Sequence, residues 1–144
     1  MYFMNNNYQI HIPPGMLLRV IEAKQNSIMI YDKLLMMTSD QENIGLIRVI
    51  LQDEINHLNG FTNLYHNLFG GQLNLSDPAA PYVISFLSGI KSAVVHELNN
   101  YYFYNNVSFT DQNQKVRHAF IRALADENRH AMSFNYIYTK SLEN

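Results

Sequence analysis

One pattern occurs twice in this chain, and it constrains the fold more than any other feature. Residues 53–65 and 126–138 agree in an Asp, a Glu, a His, a Phe and a Tyr, at an offset of 73 residues in a chain of 144. An offset of half the chain means two related halves. Each half carries two windows with apolar residues at helical spacing, so each reads as a helical hairpin, and two hairpins make an all-α four-helix bundle.

Breakers place the helices at about residues 15–37, 41–66, 84–105 and 111–141, in a single domain. Residues 1–13 read as a loose N-terminal segment. Pro13 and Pro14 suit a helix start, Asp40 supplies N-cap chemistry for the second helix, and Gly70-Gly71 stops it at the latest. The stretch from Asn105 to Ser108 closes the third helix, and Thr110 or Asp111 caps the fourth. In the first helix the apolar stripe is read as Leu17, Leu18, Ile21, Ile28 and Leu35. A bundle whose second and third helices run parallel needs a crossover as long as the bundle. That requires the second helix to end near Tyr65 or the third to begin near Ser85–Gly89, with 66–84 as the connection and a short helical turn at 78–84. Two full-length helices would make the bundle a plain up-down-up-down one.

Composition removes several function classes. With 10 Lys+Arg against 12 Asp+Glu the chain has no basic excess for nucleic acid. It has no cysteine, which excludes disulfides, a thiolate nucleophile and cysteine-ligated iron centres. No window is long and apolar enough for a membrane span, and the N-terminal residues lack a signal-peptide pattern. The expectation is a soluble, cytoplasmic protein.

The repeat places Glu54 and His57 in the second helix and Glu127 and His130 in the fourth, each pair as Glu-x-x-His within an apolar stripe. Residues i and i+3 share a helix face, so both side chains can approach one ion. A lone glutamate lies mid-stripe in each remaining helix, Glu22 and Glu97. Glu22 alone would be taken for a surface partner of Lys24. Four carboxylates in a bundle core tolerate one another only around cations, and two divalent ions neutralise them. Mixed oxygen and nitrogen donors suit Fe or Mn better than Ca or Mg.

In these motifs the chain, from Leu17 to Tyr138, resembles the ferritin-like superfamily and most closely its rubrerythrin-type di-iron domains. The resemblance implies that Glu54 and Glu127 bridge two Fe (or two Mn) ions, that Glu22 and Glu97 are terminal ligands, and that His57 and His130 each bind one ion. It implies an oxidoreductase acting on hydrogen peroxide or dioxygen, with rubrerythrin-like peroxidase activity first and ferroxidase activity behind it. The non-enzymatic alternative is a metal-binding structural protein. Two departures stand out. The extra glutamate that rubrerythrins carry one turn after the third-helix ligand is Asn100 here, and the cysteine-ligated rubredoxin centre is absent, so the electron donor must be a separate protein. A homodimer is the expected assembly.

Metal-bound imidazoles give their second N–H to an acceptor. The repeat therefore pairs Asp53 with His130 and Asp126 with His57; the alternative is that both aspartates pair with Arg48, Arg122 or Arg129. Tyr101 is a further candidate near the site, among an excess of tyrosines that includes Tyr31, Tyr102 and Tyr104. His96 points away from Glu97 and reads as packing or surface. His11, His66 and His118 read as structural.

Overall fold

A computed structural model describes residues 11–79 and 81–143, so the expectation for the N-terminal segment lies mostly outside the described residues. Four helices carry the fold: α1 (Pro14–Met36), α2 (Gln41–Phe69), α3 (Phe86–Thr110) and α4 (Gln114–Leu142). Pro14 opens α1, where a missing N–H costs nothing. The Asp40 side chain accepts the Asn43 N–H at the start of α2. Ser85 and Ser88 form a reciprocal capping box on α3. At the start of α4 the cap is Asn113, which accepts from Lys115 N and Val116 N, rather than Thr110 or Asp111. Thr110 is instead the last residue of α3, because the inward-facing Tyr104 and Val107 carry that helix past its asparagines.

The hairpins are α1–α2 and α3–α4, and the remaining neighbours are α1 with α3 and α2 with α4. α2 and α3, consecutive in sequence, lie across the diagonal. The start of α2 meets the end of α4, where Lys140 Nζ lies 3.1 Å from Asp40 and 2.9 Å from Glu42. Residues 70–85 therefore return along the whole bundle. Leu73 and Leu75 pack at one end, Val83 packs at the other, and Lys33 donates to the Pro81 carbonyl. α2 runs on to Phe69, and α3 begins at Phe86, within the Ser85–Gly89 window that a lengthwise crossover requires, so the bundle is not up-down-up-down. Gly70 and Gly71, at φ 65° and 73°, turn the chain out of α2 into a connection with no helix or strand among its described residues. A connection of sixteen residues can reach about 55 Å, more than the roughly 35 Å length of α1. No helical turn forms at 81–84.

Two apolar clusters fill the ends of the bundle. One gathers Leu17, Ile21, Phe61, Leu64, Tyr104, Val107, Val116 and Phe120. The other gathers Tyr31, Leu34, Ile47, Ile50, Ile90, Phe134 and Ile137. Between them lies a buried polar layer of Lys24, Ser27, Glu54, Glu97, Glu127 and His130. On α1 the buried positions are 17, 20, 21, 24, 27, 31 and 34, a near-heptad stripe that leaves Leu18, Ile28 and Leu35 on its flanks.

The return path makes a testable prediction. A zero-length carbodiimide cross-link should join Lys140 to Asp40 or Glu42 and be identified by peptide mass spectrometry. In an up-down-up-down bundle the start of α2 and the end of α4 are at opposite ends, and this link would be absent.

Candidate metal centre

Every helix places one turn in the polar layer. Glu54 and His57 come from α2, Glu127 and His130 from α4, Glu97 from α3 and Lys24 from α1. Glu54, Glu97, Glu127 and Lys24 are fully buried and His130 is nearly so. Glu54, Glu97, Glu127 and His130 each offer one ligand atom, all within 4.8 Å of one another, so this cluster could hold a metal ion.

The two imidazoles are held alike. His57 Nε2 lies 2.9 Å from Asp126 Oδ2, and His130 Nε2 lies 3.0 Å from Asp53 Oδ2. A carboxylate only accepts, so each Nε2–H donates outward and each Nδ1 faces the centre. Asp53 and Asp126 thus stand where the repeat places them. Arg129 also binds both, at 2.7 and 2.6 Å, so the two alternatives considered for these aspartates occur together. His57 Nδ1 is 3.3 Å from Glu54 and 3.2 Å from Glu127. His130 Nδ1 and Glu97 Oε2 are buried with no hydrogen-bond partner, 3.6 Å apart. Two orphaned, ligand-type atoms that face each other are what a cation site presents.

Glu22, expected as the α1 ligand, is not in this layer. Its carboxylate accepts the Ser76 N–H of the return segment at 2.9 Å. The inward position belongs to Lys24, two residues on. Its ammonium donates to both Glu54 oxygens at 3.0 Å and to Glu127 Oε1 at 2.8 Å, and it sits 5.3 Å from the Tyr104 ring centre. The expectation failed because a lysine was assigned to solvent by residue type. The 73-residue offset that pairs the two Glu-x-x-His motifs also pairs Lys24 with Glu97, and that register would have identified it.

Tyr101 is likewise outside the layer. It is half-buried, and its ring lies 5.7 Å from that of Tyr102. The tyrosines that touch the centre are Tyr31, whose hydroxyl donates to Glu97 Oε1, and Tyr104 beside Lys24. Asn100 donates to Glu127 Oε2 at 2.9 Å. His96 packs half-buried outside the ligand cluster, with Nε2 2.9 Å from Ser27 Oγ and 3.2 Å from Asn100.

Protonation follows from these neighbours. Burial opposes the Lys24 ammonium, but Tyr104, Glu54 and Glu127 hold its pKa above the ordinary lysine value. Burial opposes the Glu127 carboxylate too, and Lys24 and His57 outweigh it, holding that group well below the usual range. Burial pulls the His57 imidazole down, yet Glu127 and Glu54 lift it to about 10. Burial pushes the Glu97 carboxyl up to about 8. For His96, burial and then Lys24 lower the pKa, so that imidazole is neutral.

These shifts set the pH dependence of the metal-free protein. His57, raised from 6.5 to about 10, contributes stability that is complete below 6.5 and lost as pH rises through about 10. The raised Glu97 acts in the same direction, its contribution fading between 4.5 and about 8. The depressed Glu127 contributes above 4.5 and loses that contribution in acid. Urea denaturation with a chelator present should therefore show greatest stability near pH 5–6 and a fall on the order of a few kcal/mol by about pH 9. A rise over that interval would contradict this ion network.

No protein-family model matches the chain, and no solved structure matches it. The chain is similar to a protein of Bacillus subtilis (strain 168) named "Uncharacterized protein YhjR", at 29% identity over 118 residues, which cover 82% of this chain and 81% of that protein. No helix among the described residues is long and apolar enough to cross a membrane.

Proposed function

We propose that this chain is a ferritin-like, rubrerythrin-type bundle that binds iron or manganese at Glu54, Glu97, Glu127 and His130 and acts in oxidation–reduction on hydrogen peroxide or dioxygen. The observation that carries this reading is a pair of buried atoms that make no hydrogen bond, Glu97 Oε2 and His130 Nδ1, inside a four-residue cluster whose ligand atoms lie within 4.8 Å of one another. Three carboxylates and an imidazole suit Fe or Mn. When bound, such an ion would supply electrons to the oxygen substrate.

The chain's own residues do the rest. Asp53 holds His130 with Nδ1 facing the centre. The apolar clusters above and below exclude water. A cavity of about 460 Å³ between α1, α3 and the return segment is lined in part by Ser27, Tyr31 and His96, and is large enough for a small oxidant. Tyr31 belongs both to its wall and to the centre, since its hydroxyl donates to Glu97. It can therefore hold a proton at Oη between cavity and carboxylate. With no cysteine in the chain to hold an iron centre, a separate donor protein supplies the electrons.

A second reading is favoured by one observation. Lys24 already satisfies Glu54 and Glu127 without any metal, so the layer also works as a metal-free structural ion network.

One experiment separates the two. The purified protein is saturated anaerobically with Fe(II) or Mn(II), bound metal is quantified by elemental analysis, and peroxide loss is followed with an artificial electron donor. The proposal expects tightly bound metal and donor-dependent peroxide loss. It expects Asp53→Asn to weaken metal affinity about 10- to 100-fold and His130→Ala to abolish binding in a folded protein. No bound metal, together with a loss of about 3–5 kcal/mol of stability in Lys24→Met, would establish the structural reading instead.

A further inference from the structure

We infer that Lys24 is a built-in cation standing in for a metal ion in the second half of the centre, so that this bundle takes one ion where its internal symmetry would provide for two. The inference rests on the proposal of metal at the His130 side.

The repeat relates Asp53 to Asp126, Glu54 to Glu127 and His57 to His130, and the structure extends it outward from those pairs. Tyr31 and Tyr104 are also 73 residues apart, and both are buried against the polar layer. Each imidazole presents Nδ1 to the centre with Nε2 tied to an aspartate. Each faces two carboxylates, His57 those of α2 and α4 and His130 those of α2 and α3. His57 Nδ1 lies 3.3 Å from Glu54 and 3.2 Å from Glu127. His130 Nδ1 lies 3.5 Å from Glu54.

The symmetry fails at Ser27 and Asn100, and, with a reversal of charge, at Lys24 and Glu97. On the His130 side the third group is the Glu97 carboxylate, and two ligand atoms are left without a hydrogen bond. On the His57 side the third group is the Lys24 ammonium, and no ligand atom is left over.

An ammonium has three N–H donors and no lone pair, so it cannot be a metal ligand. All three of its short contacts are to carboxylate oxygens, two on Glu54 and one on Glu127. It therefore lies against the two carboxylates that both half-sites share. A second divalent cation placed there would meet a fixed positive charge in a desolvated interior, a strongly repulsive arrangement.

Exchanging the ammonium for a fourth carboxylate would make the layer more negative by two charges, the charge of one divalent ion. Burying a lysine completely is costly, and Lys24, at 0% exposure, is held there by its ion pairs to Glu54 and Glu127.

The test is metal stoichiometry, not turnover. Wild type, Lys24→Glu and the double variant Lys24→Glu/His57→Ala are saturated with Mn(II), freed of loose ions, and assayed for Mn per chain by elemental analysis. The expected result is one more ion per chain in Lys24→Glu than in wild type, with the extra ion lost again in the double variant. In Lys24→Glu the low-temperature electron paramagnetic resonance spectrum should also change to that of a coupled Mn pair. Two ions in the wild type, or equal stoichiometry in folded wild type and Lys24→Glu, overturns the inference. If Lys24→Glu does not fold without metal, Lys24→Gln takes its place under the same criterion: a gain of one ion supports the inference, and no gain overturns it. A wild type that holds no ion would defeat the metal proposal itself. One ion in the wild type with no gain on replacing Lys24 would defeat this inference alone.

Discussion

The structure turns on one buried ammonium. Lys24 sits at the middle of the bundle between Glu54 and Glu127, and without it two desolvated carboxylates would face each other at zero exposure. Such an arrangement is among the most costly that a protein interior can hold. The rest of the polar layer is organised around that contact. Asn100 takes the far oxygen of Glu127, Tyr31 takes an oxygen of Glu97, and the two aspartates fix the imidazoles from outside. Each polar group that lacks a hydrogen bond in the layer lies on the side away from the lysine.

The fold serves this layer. Four helices contribute one turn each at the same height, and two aromatic-rich apolar clusters close it above and below. Phe61, Tyr104 and Phe120 pack with ring centres 4.9–5.5 Å apart at one end, and Tyr31 and Phe134 lie 4.9 Å apart at the other. Tyr31 and Tyr104 each have an apolar body in a cluster and a hydroxyl end near the ionic groups. The low-dielectric interior they create strengthens every charge contact in the layer and accounts for the displaced protonation of His57 and Glu97.

Particular residues show how far sequence reasoning reaches. Glu54, His57, Glu127 and His130 were legible because a spacing of three places two donors on one helix face whatever surrounds it. Asp53 and Asp126 were legible because the repeat carries them along. Glu22 misled because charge type was allowed to set the register of α1. The stripe at 17, 20, 21, 24, 27, 31 and 34 tolerates a lysine only since a carboxylate on each of two other helices meets it, and those helices lie 30 and 103 residues away. Tyr101 misled by proximity in sequence. Its neighbour by one turn, Tyr104, is the one that faces inward.

The sequence by itself determined the number of helices, their pairing into two related hairpins, and the polar layer at mid-height, since helical periodicity and an internal repeat are properties of the chain alone. Only the tertiary structure decided that α2 and α3 lie diagonally with a return segment between them, and that α1 presents an ammonium rather than a carboxylate to the centre. Both depend on which faces of distant helices meet. The free energy of a buried charge is set by its neighbours across the bundle, not by its neighbours along the chain.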